Sequence, residues 1–207
     1  MRIDIILFAG FDELDALGPF EVLQNAAKLG ADFKVRLVSP SGAGQLVGAH
    51  GLRVVAEAGL REGPMPKIIV VPGGGWNDHS QEGARAEATS GQIPAYLADM
   101  HRSGVTIASV CTGAMIVAAA GLLRGRHAIT HHVAIEDLRA AGAEIVNERV
   151  VDDGQLVTAG GVTSGIDLAL WLVERFASRV VADKVVAAME YQRVGNVWQS
   201  KALTTDT

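Results

Sequence analysis

The sequence predicts an α/β fold with a mainly parallel sheet that helices cover on both faces. Short runs rich in β-branched residues alternate with longer helical patterns along the chain. The strand candidates are almost continuously apolar, as expected for strands that are buried on both sides. The predicted strands are residues 3–8, 33–38, 67–71 and 105–110, and the predicted helices are residues 19–29, 92–102 and 112–123.

Length and charge limit the possible classes of protein. The chain has 207 residues, which suits one domain spanning residues 1–207 with a full core. Its formal net charge is −5, so no basic stripe is available to neutralise phosphates. We therefore expect no nucleic-acid or membrane partner, and a small molecule as the ligand.

Cysteine use points to a reducing compartment. Cys111 is the single cysteine and cannot form an internal disulfide, and the six histidines show no zinc-like spacing. We predict a free thiol, a cytoplasmic protein and no signal peptide. The uncharged segment 103–123 is long enough to span a bilayer, but its three glycines favour a buried strand that turns into a helix.

The sequence predicts further elements in addition to this alternation of strands and helices. Residues 45–57 indicate a small extended excursion, and Asp153-Gly154 predicts a hairpin between residues 149–152 and 155–158. Gly18-Pro19 predicts a helix start, with Asp15 just before the helix. Ser164 and Asp167 have capping-box spacing ahead of an apolar helix body at residues 168–173.

Cys111 lies where a predicted strand turns into a helix, in the frame Ser-Val-Cys-Thr-Gly. Such a turn is typical of a nucleophile elbow, which lifts a reactive side chain above the carboxyl edge of a sheet. The helix N-terminus is expected to lower the pKa of the thiol and favour the thiolate. The alternative is a small buried hydrophobe, which is the role of most lone cysteines.

The segment Pro-Gly-Gly-Gly at 72–75 follows another predicted strand. Glycines there let backbone N–H groups approach a ligand, which suits an oxyanion hole together with the amide after the nucleophile. The alternative is a flexible turn. Neither a dinucleotide fingerprint nor a phosphate loop occurs in the sequence, and we predict no cofactor and no metal.

Asp15 is flanked by apolar residues, where a carboxylate is costly unless it is paired or has a raised pKa. It is therefore a candidate proton shuttle, with helix capping as the alternative. Asp12 and Glu13 are interpreted as solvated loop charges. His131 and His132 are candidate partners of the thiol, with a structural role as the alternative. No role is assigned to the other histidines, which are His50, His79, His101 and His127.

Taken together, these motifs resemble the ThiJ/PfpI superfamily, the class I glutamine amidotransferase-like proteins. The similarity covers nearly the whole chain. The motifs are Leu-Asp-Ala-Leu-Gly-Pro at 14–19, Val-Pro-Gly-Gly at 71–74, Ser-Val-Cys-Thr-Gly-Ala at 109–114, Gly-Leu-Leu-Arg-Gly-Arg at 121–126 with Thr-His at 130–131, and Thr-Ala-Gly-Gly-Val-Thr-Ser-Gly-Ile-Asp at 158–167. The resemblance implies a flavodoxin-like three-layer sandwich.

Details within the superfamily separate its branches. The intracellular protease branch has His after the nucleophilic Cys, whereas Thr112 stands here, which argues against a protease. The motifs around Asp15 and Cys111 and the Gly-x-Thr-x-Gly-Ile-Asp segment at 161–167 resemble isocyanide hydratases and the ligand-binding domains of AraC-type regulators. No helix-turn-helix region follows in this sequence, so an intact regulator of that kind is not expected.

The resemblance implies a cofactor-independent hydro-lyase in which Cys111 attacks an isocyanide and Asp15 acts as acid and then base. Thr112 would hydrogen-bond beside the nucleophile, and Gly74, Gly75 and His131 would bind substrate or developing charge. A homodimer is also implied.

Two alternatives remain open at this point. One is glyoxalase or deglycase action on α-oxoaldehydes, although those branches usually carry Glu where Asp15 stands. The other is a non-catalytic ligand-binding or redox-sensing protein. The sequence also leaves open which segments close over the site; the candidates are Trp76, Asn77, Asp78 and residues 162–166.

Overall fold

A mainly parallel sheet forms the centre of the computed structural model, which describes residues 1–77 and 81–200. Within these residues the sheet has eight strands in the order β12-β10-β11-β7-β6-β1-β2-β5, and only the β10–β11 pair is antiparallel. The strands of this sheet are β1 (Arg2–Ile6), β2 (Lys34–Ser39), β5 (Ala58–Gly59), β6 (Ile68–Val71), β7 (Thr106–Val110), β10 (Val150–Asp152), β11 (Leu156–Ala159) and β12 (Val197–Gln199). Two small two-stranded sheets lie outside it and comprise β3 (Gly44–Val47) with β4 (Arg53–Ala56), and β8 (His127–Ala128) with β9 (Glu144–Ile145).

Helices connect the strands and cover the sheet. They are α1 (Glu13–Lys28), α2 (Ala84–Ser90), α3 (Gln92–Arg102), α4 (Gly113–Ala119), α5 (Ile135–Ala140), α6 (Ser164–Phe176) and α7 (Arg179–Ala188), with a 3₁₀ turn at His132–Ala134. The five inner strands follow the flavodoxin-like order, because β1 lies between β2 and β6, with β7 and β11 beyond β6. The predicted α/β class is confirmed.

The four predicted strands are all present because their apolar runs form the core. Every residue of β6 and β7 is buried, as the two-sided cover of a parallel sheet requires. The predicted hairpin at Asp153-Gly154 is confirmed as β10–β11, and the extended excursion is confirmed as β3–β4. The short strand β12, which pairs with β10, is a feature that the sequence patterns did not predict.

The predicted start of the first helix at Pro19 is wrong, because α1 begins at Glu13 and contains Pro19. Asp12 is the cap: its carboxylate accepts a hydrogen bond from the N–H of Leu14 at 3.2 Å. Pro19 is the seventh residue of α1, so its missing N–H leaves the carbonyl of Asp15 without the usual i→i−4 donor. Asp15 therefore lies in the first turn of α1 and not before the helix.

The uncharged segment 103–123 folds as strand β7 followed by the two-turn helix α4. Among the helices of the described residues, none has the length and hydropathy needed to cross a bilayer. The predicted capping box at Ser164 does not form, since Thr163 occupies the cap position without a side-chain cap bond. Asp167 instead accepts hydrogen bonds from Arg149 at 2.9 and 2.7 Å.

Candidate active site

Three chain segments meet at the carboxyl edge of the sheet. Asp15 follows β1, the glycine loop follows β6, and Cys111 follows β7. Strands β1 and β6 are neighbours at the point where the strand order reverses, which is where open α/β sheets bind ligands. The fold thus brings together the three features that the sequence singled out separately.

Cys111 has the strained backbone of a nucleophile elbow. Its φ is +56°, a conformation that residues other than glycine rarely adopt and that is found at functional sites. The neighbouring chain holds this turn in place: the N–H of Cys111 donates to the carbonyls of Ala159 and Gly160 at 3.1 and 2.9 Å. The Thr130 hydroxyl donates to the carbonyl of Cys111 at 2.8 Å.

Gly113 lets this elbow approach the glycine loop. A Cβ at this position would lie 2.2 Å from the carbonyl oxygen of Val71 and 2.7 Å from that of Pro72, which is too close for any side chain. The start of α4 therefore packs directly on the backbone at the end of β6.

Asp15 is fully buried beside the thiol, with 0% of its surface exposed. One carboxyl oxygen, Oδ2, accepts a hydrogen bond from the N–H of Gly73 at 2.9 Å. The other, Oδ1, is buried and has no hydrogen-bond partner among the described residues. Burial raises the pKa of Asp15 from 3.8 to about 8, and the negative charge of Asp12 raises it further. Hydrogen bonds with the Gly73 N–H and with the Cys111 side chain oppose this rise. Asp15 is therefore a neutral acid near pH 7.

The Cys111 thiol does not have the lowered pKa that its helix position predicts. Burial, first, and the charge of Asp15, second, raise the pKa of Cys111 to about 12. The N–H groups of Val162 and Thr112 oppose this shift by hydrogen bonding to the sulfur. Helix α4 has only two turns, and its dipole is outweighed because the thiol is 6% exposed.

Cys111 and Asp15 titrate as one coupled pair. Each ionised group disfavours the other, so a second negative charge in this buried space is strongly opposed. Asp15, with a pKa of about 8 against about 12 for the thiol, is the more acidic member, so a thiolate forms only when the thiol proton passes to the carboxylate, and the N–H groups of Val162 and Thr112 then stabilise the charge on sulfur. The arrangement can thus present a thiolate next to a carboxylic acid, which are a nucleophile and a proton donor.

Thr112 joins the elbow to the glycine loop. Its hydroxyl oxygen accepts a hydrogen bond from the N–H of Gly74 at 3.0 Å. A Cβ on Gly73 would lie 2.5 Å from this oxygen and 3.0 Å from Asp15 Oδ2, so the loop passes tightly between the two. Because the Gly74 amide is already engaged, its contact with developing charge on a substrate stays a prediction.

Gly75, at the end of the glycine loop, and Trp76, which follows it, contact neighbouring segments of the chain. A Cβ on Gly75 would lie 2.9 Å from the carbonyl of Glu82, which marks a close crossing of two backbone segments. Trp76 Nε1 donates to Asp137 on α5 at 2.6 Å, and the Arg85 guanidinium lies 4.3 Å from the centre of the Trp76 ring. The predicted lid residue Asp78, like His79, lies outside the described residues.

His131 lies near the site. In the described part of the chain, no hydrogen bond joins its side chain to Cys111. Its ring covers Gly161, where a Cβ would be 2.5 Å from the ring. Its Nδ1 accepts a weak hydrogen bond from the N–H of Val133 at 3.4 Å. Burial, together with neighbouring His132, lowers the pKa of His131, so the ring is neutral at pH 7. Substrate binding by His131 stays a prediction.

The structure corrects the interpretation of two acidic residues as solvated loop charges. Asp12 caps α1, and Glu13 holds the β3–β4 turn through hydrogen bonds from the N–H of His50 at 2.7 Å and of Leu52 at 3.3 Å. Glu13 also pairs with the His50 ring at 2.6 Å, so this histidine has a partner that the sequence did not indicate.

Val162 is the site residue that sequence reasoning missed. It contributes only its backbone N–H to the Cys111 sulfur, with a positive φ of 23°. A backbone donor leaves no side-chain signature, and the available signal was the preceding Gly160-Gly161 pair, which marks a tight loop. As for metals, no group of three or more His, Cys, Asp or Glu in the described parts of the chain could hold an ion.

The chain belongs to the DJ-1/PfpI family, whose profile matches residues 1–175. The family resemblance predicted from the motifs is thereby confirmed. Isonitrile hydratase from Pseudomonas putida is 32% identical over 191 residues, which is 92% of this chain and 78% of that protein. The family therefore includes an enzyme.

Solved structures give the same fold. A ThiJ/PfpI family protein from Pseudomonas syringae superposes with a TM-score of 0.81 at 28% identity, covering 93% of this chain and 76% of that one. DJ-1beta from Drosophila melanogaster also superposes with a TM-score of 0.81, at 19% identity, over 93% of this chain and 98% of its own. The flavodoxin-like prediction is confirmed.

Proposed function

We propose that this protein is a cysteine-dependent hydro-lyase that adds water to isocyanides and releases N-substituted formamides. The observation that carries the proposal is the Cys111–Asp15 pair, in which a strained nucleophile lies against a buried carboxyl group that pairs with no cation in the described part of the chain. The similarity to isonitrile hydratase supports the choice of substrate.

The first half of the reaction uses Cys111 as nucleophile and Asp15 as acid. The terminal carbon of R–N≡C is electrophilic, and the thiolate forms a bond to it. Asp15 gives its proton to the same carbon, which yields the thioimidate R–N=CH–S and leaves Asp15 as a carboxylate. The N–H groups of Thr112 and Val162 stabilise the thiolate before attack.

The second half uses Asp15 as base. The carboxylate takes a proton from water as the water oxygen adds to the thioimidate carbon, and it passes this proton to the nitrogen. The C–S bond then breaks, sulfur leaves as thiolate, and the hydroxyl proton returns to Asp15. The product is R–NH–CHO, and both residues are restored, so no cofactor enters the sequence of steps.

The supporting residues have defined tasks in this scheme. Thr112 holds the Gly74 amide and thereby fixes the glycine loop against the elbow. Gly75 would present a backbone donor to charge that develops on the substrate, Gly74 would do so only after its N–H leaves the Thr112 hydroxyl, and His131 would bind substrate as a neutral donor through Nε2. We further propose that the protein is cytoplasmic and forms a homodimer, which light scattering on the purified chain measures directly.

The test is the appearance of N-cyclohexylformamide from cyclohexyl isocyanide, followed by NMR or liquid chromatography. We expect turnover by the unmodified protein and none above background for Cys111→Ala. Ser109→Ala is the matched control, since its hydroxyl lies in the same elbow, is buried and has no hydrogen-bond partner within the described residues. Formamide produced equally well by Cys111→Ala would rule out the covalent route.

Two parallel incubations distinguish the alternatives. Turnover of methylglyoxal without turnover of isocyanides would favour the glyoxalase or deglycase reaction. Inertness toward both, with ready oxidation of Cys111 by peroxide, would favour a redox sensor.

A further inference from the structure

Asp12 lies three residues before Asp15, at the start of the same helix. It is the N-cap of α1, and its carboxylate accepts a hydrogen bond from the N–H of Leu14 at 3.2 Å. Asp15 occupies the third helical position, from which an acidic side chain commonly turns back to the N–H of the cap residue. In that arrangement both carboxylates would serve only as helix caps.

The Gly73 peptide lies between these two residues instead. The N–H of Asp12 donates to the carbonyl of Gly73 at 2.8 Å, and the N–H of Gly73 donates to Asp15 Oδ2 at 2.9 Å. Gly74 allows this contact, because a Cβ at that position would lie 2.6 Å from the Asp12 nitrogen. Asp15 is therefore held by the glycine loop, not by the cap, and remains available to Cys111.

The charge of Asp12 has no counter-charge to offset it. Asp12 is half-buried and takes part in no salt bridge within the described residues, whereas the neighbouring Glu13 pairs with His50. A half-buried charge is screened less than an exposed one. The titratable groups on which it acts are Asp15, Cys111, His131 and His50. His131 is neutral at pH 7, so Asp12 is the charge that faces the Cys111–Asp15 pair from outside.

This charge acts unequally on the two members of the pair. Asp12 and Asp15 belong to one helical turn, in which Cβ atoms three positions apart lie about 5–6 Å from each other. Cys111 lies on a separate segment, after β7. Accordingly, Asp12 is the second largest influence on Asp15, after burial, and only a minor one on Cys111. It therefore disfavours a carboxylate at Asp15 more than a thiolate at Cys111.

We propose that Asp12 is a positioning residue that directs the remaining proton of the singly ionised pair from sulfur to Asp15. In this shift the S–H bond breaks, an O–H bond forms on the carboxylate, and the negative charge moves to sulfur. Asp12 repels the charge on the carboxylate and so favours the form with a thiolate beside a carboxylic acid. The inference rests on the proposed function for the use of that thiolate, but the proton shift can be measured without an isocyanide.

The test is the pH dependence of alkylation of Cys111, the single cysteine in the chain, by the neutral reagent iodoacetamide. Asp12→Asn keeps a side-chain oxygen that caps α1 but removes the charge. Ionisation of the pair should then begin at a lower pH, and at low pH the variant should react at least as fast as the unmodified protein. Above the Asp15 pKa of about 8, its rate should be about 3- to 10-fold lower, because the proton stays on sulfur more often. The two pH profiles should therefore cross.

Further variants separate the charge from the cap. Asp12→Ser supplies a capping hydroxyl without a charge and should also give a crossing profile. Asp12→Glu retains the charge and should keep the pH midpoint of the unmodified protein, although Glu is not a preferred cap. Asp32→Asn is the matched control: this aspartate is 91% exposed ahead of β2, at the opposite edge of the sheet, and its loss should leave the rates unchanged.

A rate that Asp12→Asn lowers by the same factor at every pH would overturn the proposal, since loss of structure would explain it. An unchanged profile, or a midpoint that Asp12→Glu moves as far as Asp12→Asn does, would also overturn it. The two proposals fail separately. Crossing profiles in a protein that turns over no isocyanide contradict only the proposed function. Isocyanide turnover with profiles that do not cross contradicts only the role of Asp12.

Discussion

Two fully buried aspartates in this molecule differ in what surrounds them. Asp152, on β10, accepts hydrogen bonds from Trp171 Nε1 at 2.7 Å and from Arg175 at 3.1 and 3.0 Å. Asp15 has the Gly73 N–H, the thiol and the nearby charge of Asp12, but no cation pairs with it among residues 1–77 and 81–200. The first aspartate is placed as a structural anion, and the second as a carboxyl group that can gain and lose a proton.

The same physical cause acts on both groups with different results. Burial raises the pKa of Asp152, but the positive charge of Arg175 and two N–H donors oppose the shift. Around Asp15 the second largest influence is another negative charge, and the pKa reaches about 8. The lesson is that lack of a counter-charge, and not burial alone, distinguishes a proton-transfer group from a structural one.

The largest expected effect is on turnover. Asp15→Asn keeps the shape and the Gly73 hydrogen bond but cannot supply or accept the proton, so formamide formation should fall by about 10²–10⁴-fold. The measurement is kcat/KM with cyclohexyl isocyanide. Asp183→Asn, at a position with 61% side-chain exposure on α7, is the control and should keep full activity. Normal turnover by Asp15→Asn would mean that another group moves the proton.

Removing the cation beside Asp152 should lower the stability of the fold. Arg175→Met leaves the Asp152 carboxylate buried without its cation, which should lower the free energy of unfolding by about 3 kcal/mol. Urea unfolding measures this change. Arg102→Met provides the matched control: Arg102 is 71% exposed and pairs with Asp99 on the surface, so its loss should cost less than about 1 kcal/mol. Equal losses of unfolding free energy in the two variants would contradict the role of Asp152 as a structural anion that depends on Arg175.

The raised pKa of Asp15 should also appear in the pH dependence of stability. The unfolded chain releases this proton near the ordinary pKa of 3.8, whereas the folded chain keeps it up to about 8. Between these values the folded state binds more protons, so this group makes stability fall as pH rises, by about 1.4 kcal/mol per pH unit. Asp15→Asn should lack this contribution.

Unfolding by urea at pH 5, 6 and 7 tests the slope. The unfolding free energy of Asp15→Asn, minus that of the unmodified protein, should increase across the series. A constant difference would mean that the folded protein ionises Asp15 as readily as the unfolded chain does.

A smaller effect is expected at Thr112. Thr112→Val removes the oxygen that accepts the Gly74 N–H, which should cost about 1–2 kcal/mol in transition-state stabilisation, or about 5- to 30-fold in kcat/KM. Thr112→Ser retains the hydroxyl and should keep most of the activity. A loss of equal size in both variants would assign Thr112 a packing role instead.

The sequence was sufficient for the elbow and the sheet because both leave side-chain patterns. Continuous apolar runs predicted β6 and β7, and Cys-Thr-Gly after β7 predicted the turn at Cys111. The start of α1 was misplaced because Pro19 gave a stronger local signal than the cap at Asp12. The Val162 amide was missed because a backbone donor can belong to any residue type.

The electrostatics of the site were the least predictable part. The helix position of Cys111 predicted a lowered pKa, yet burial and the charge of Asp15 dominate. Both effects depend on how deeply the side chains lie and on which groups face each other, and the three contributing segments are far apart in sequence. Asp15 and Gly73, for example, are 58 positions apart along the chain.

The central claim, that Asp15 holds its proton at neutral pH and so can supply it to substrate, is tested most directly by infrared difference spectroscopy. The protein is labelled with ¹³C-aspartate, and the spectrum of Asp15→Asn is subtracted from that of the unmodified chain at pH 6. We predict a protonated carboxyl C=O band in the difference spectrum. A difference spectrum that contains only the carboxylate bands at pH 6 would contradict the account.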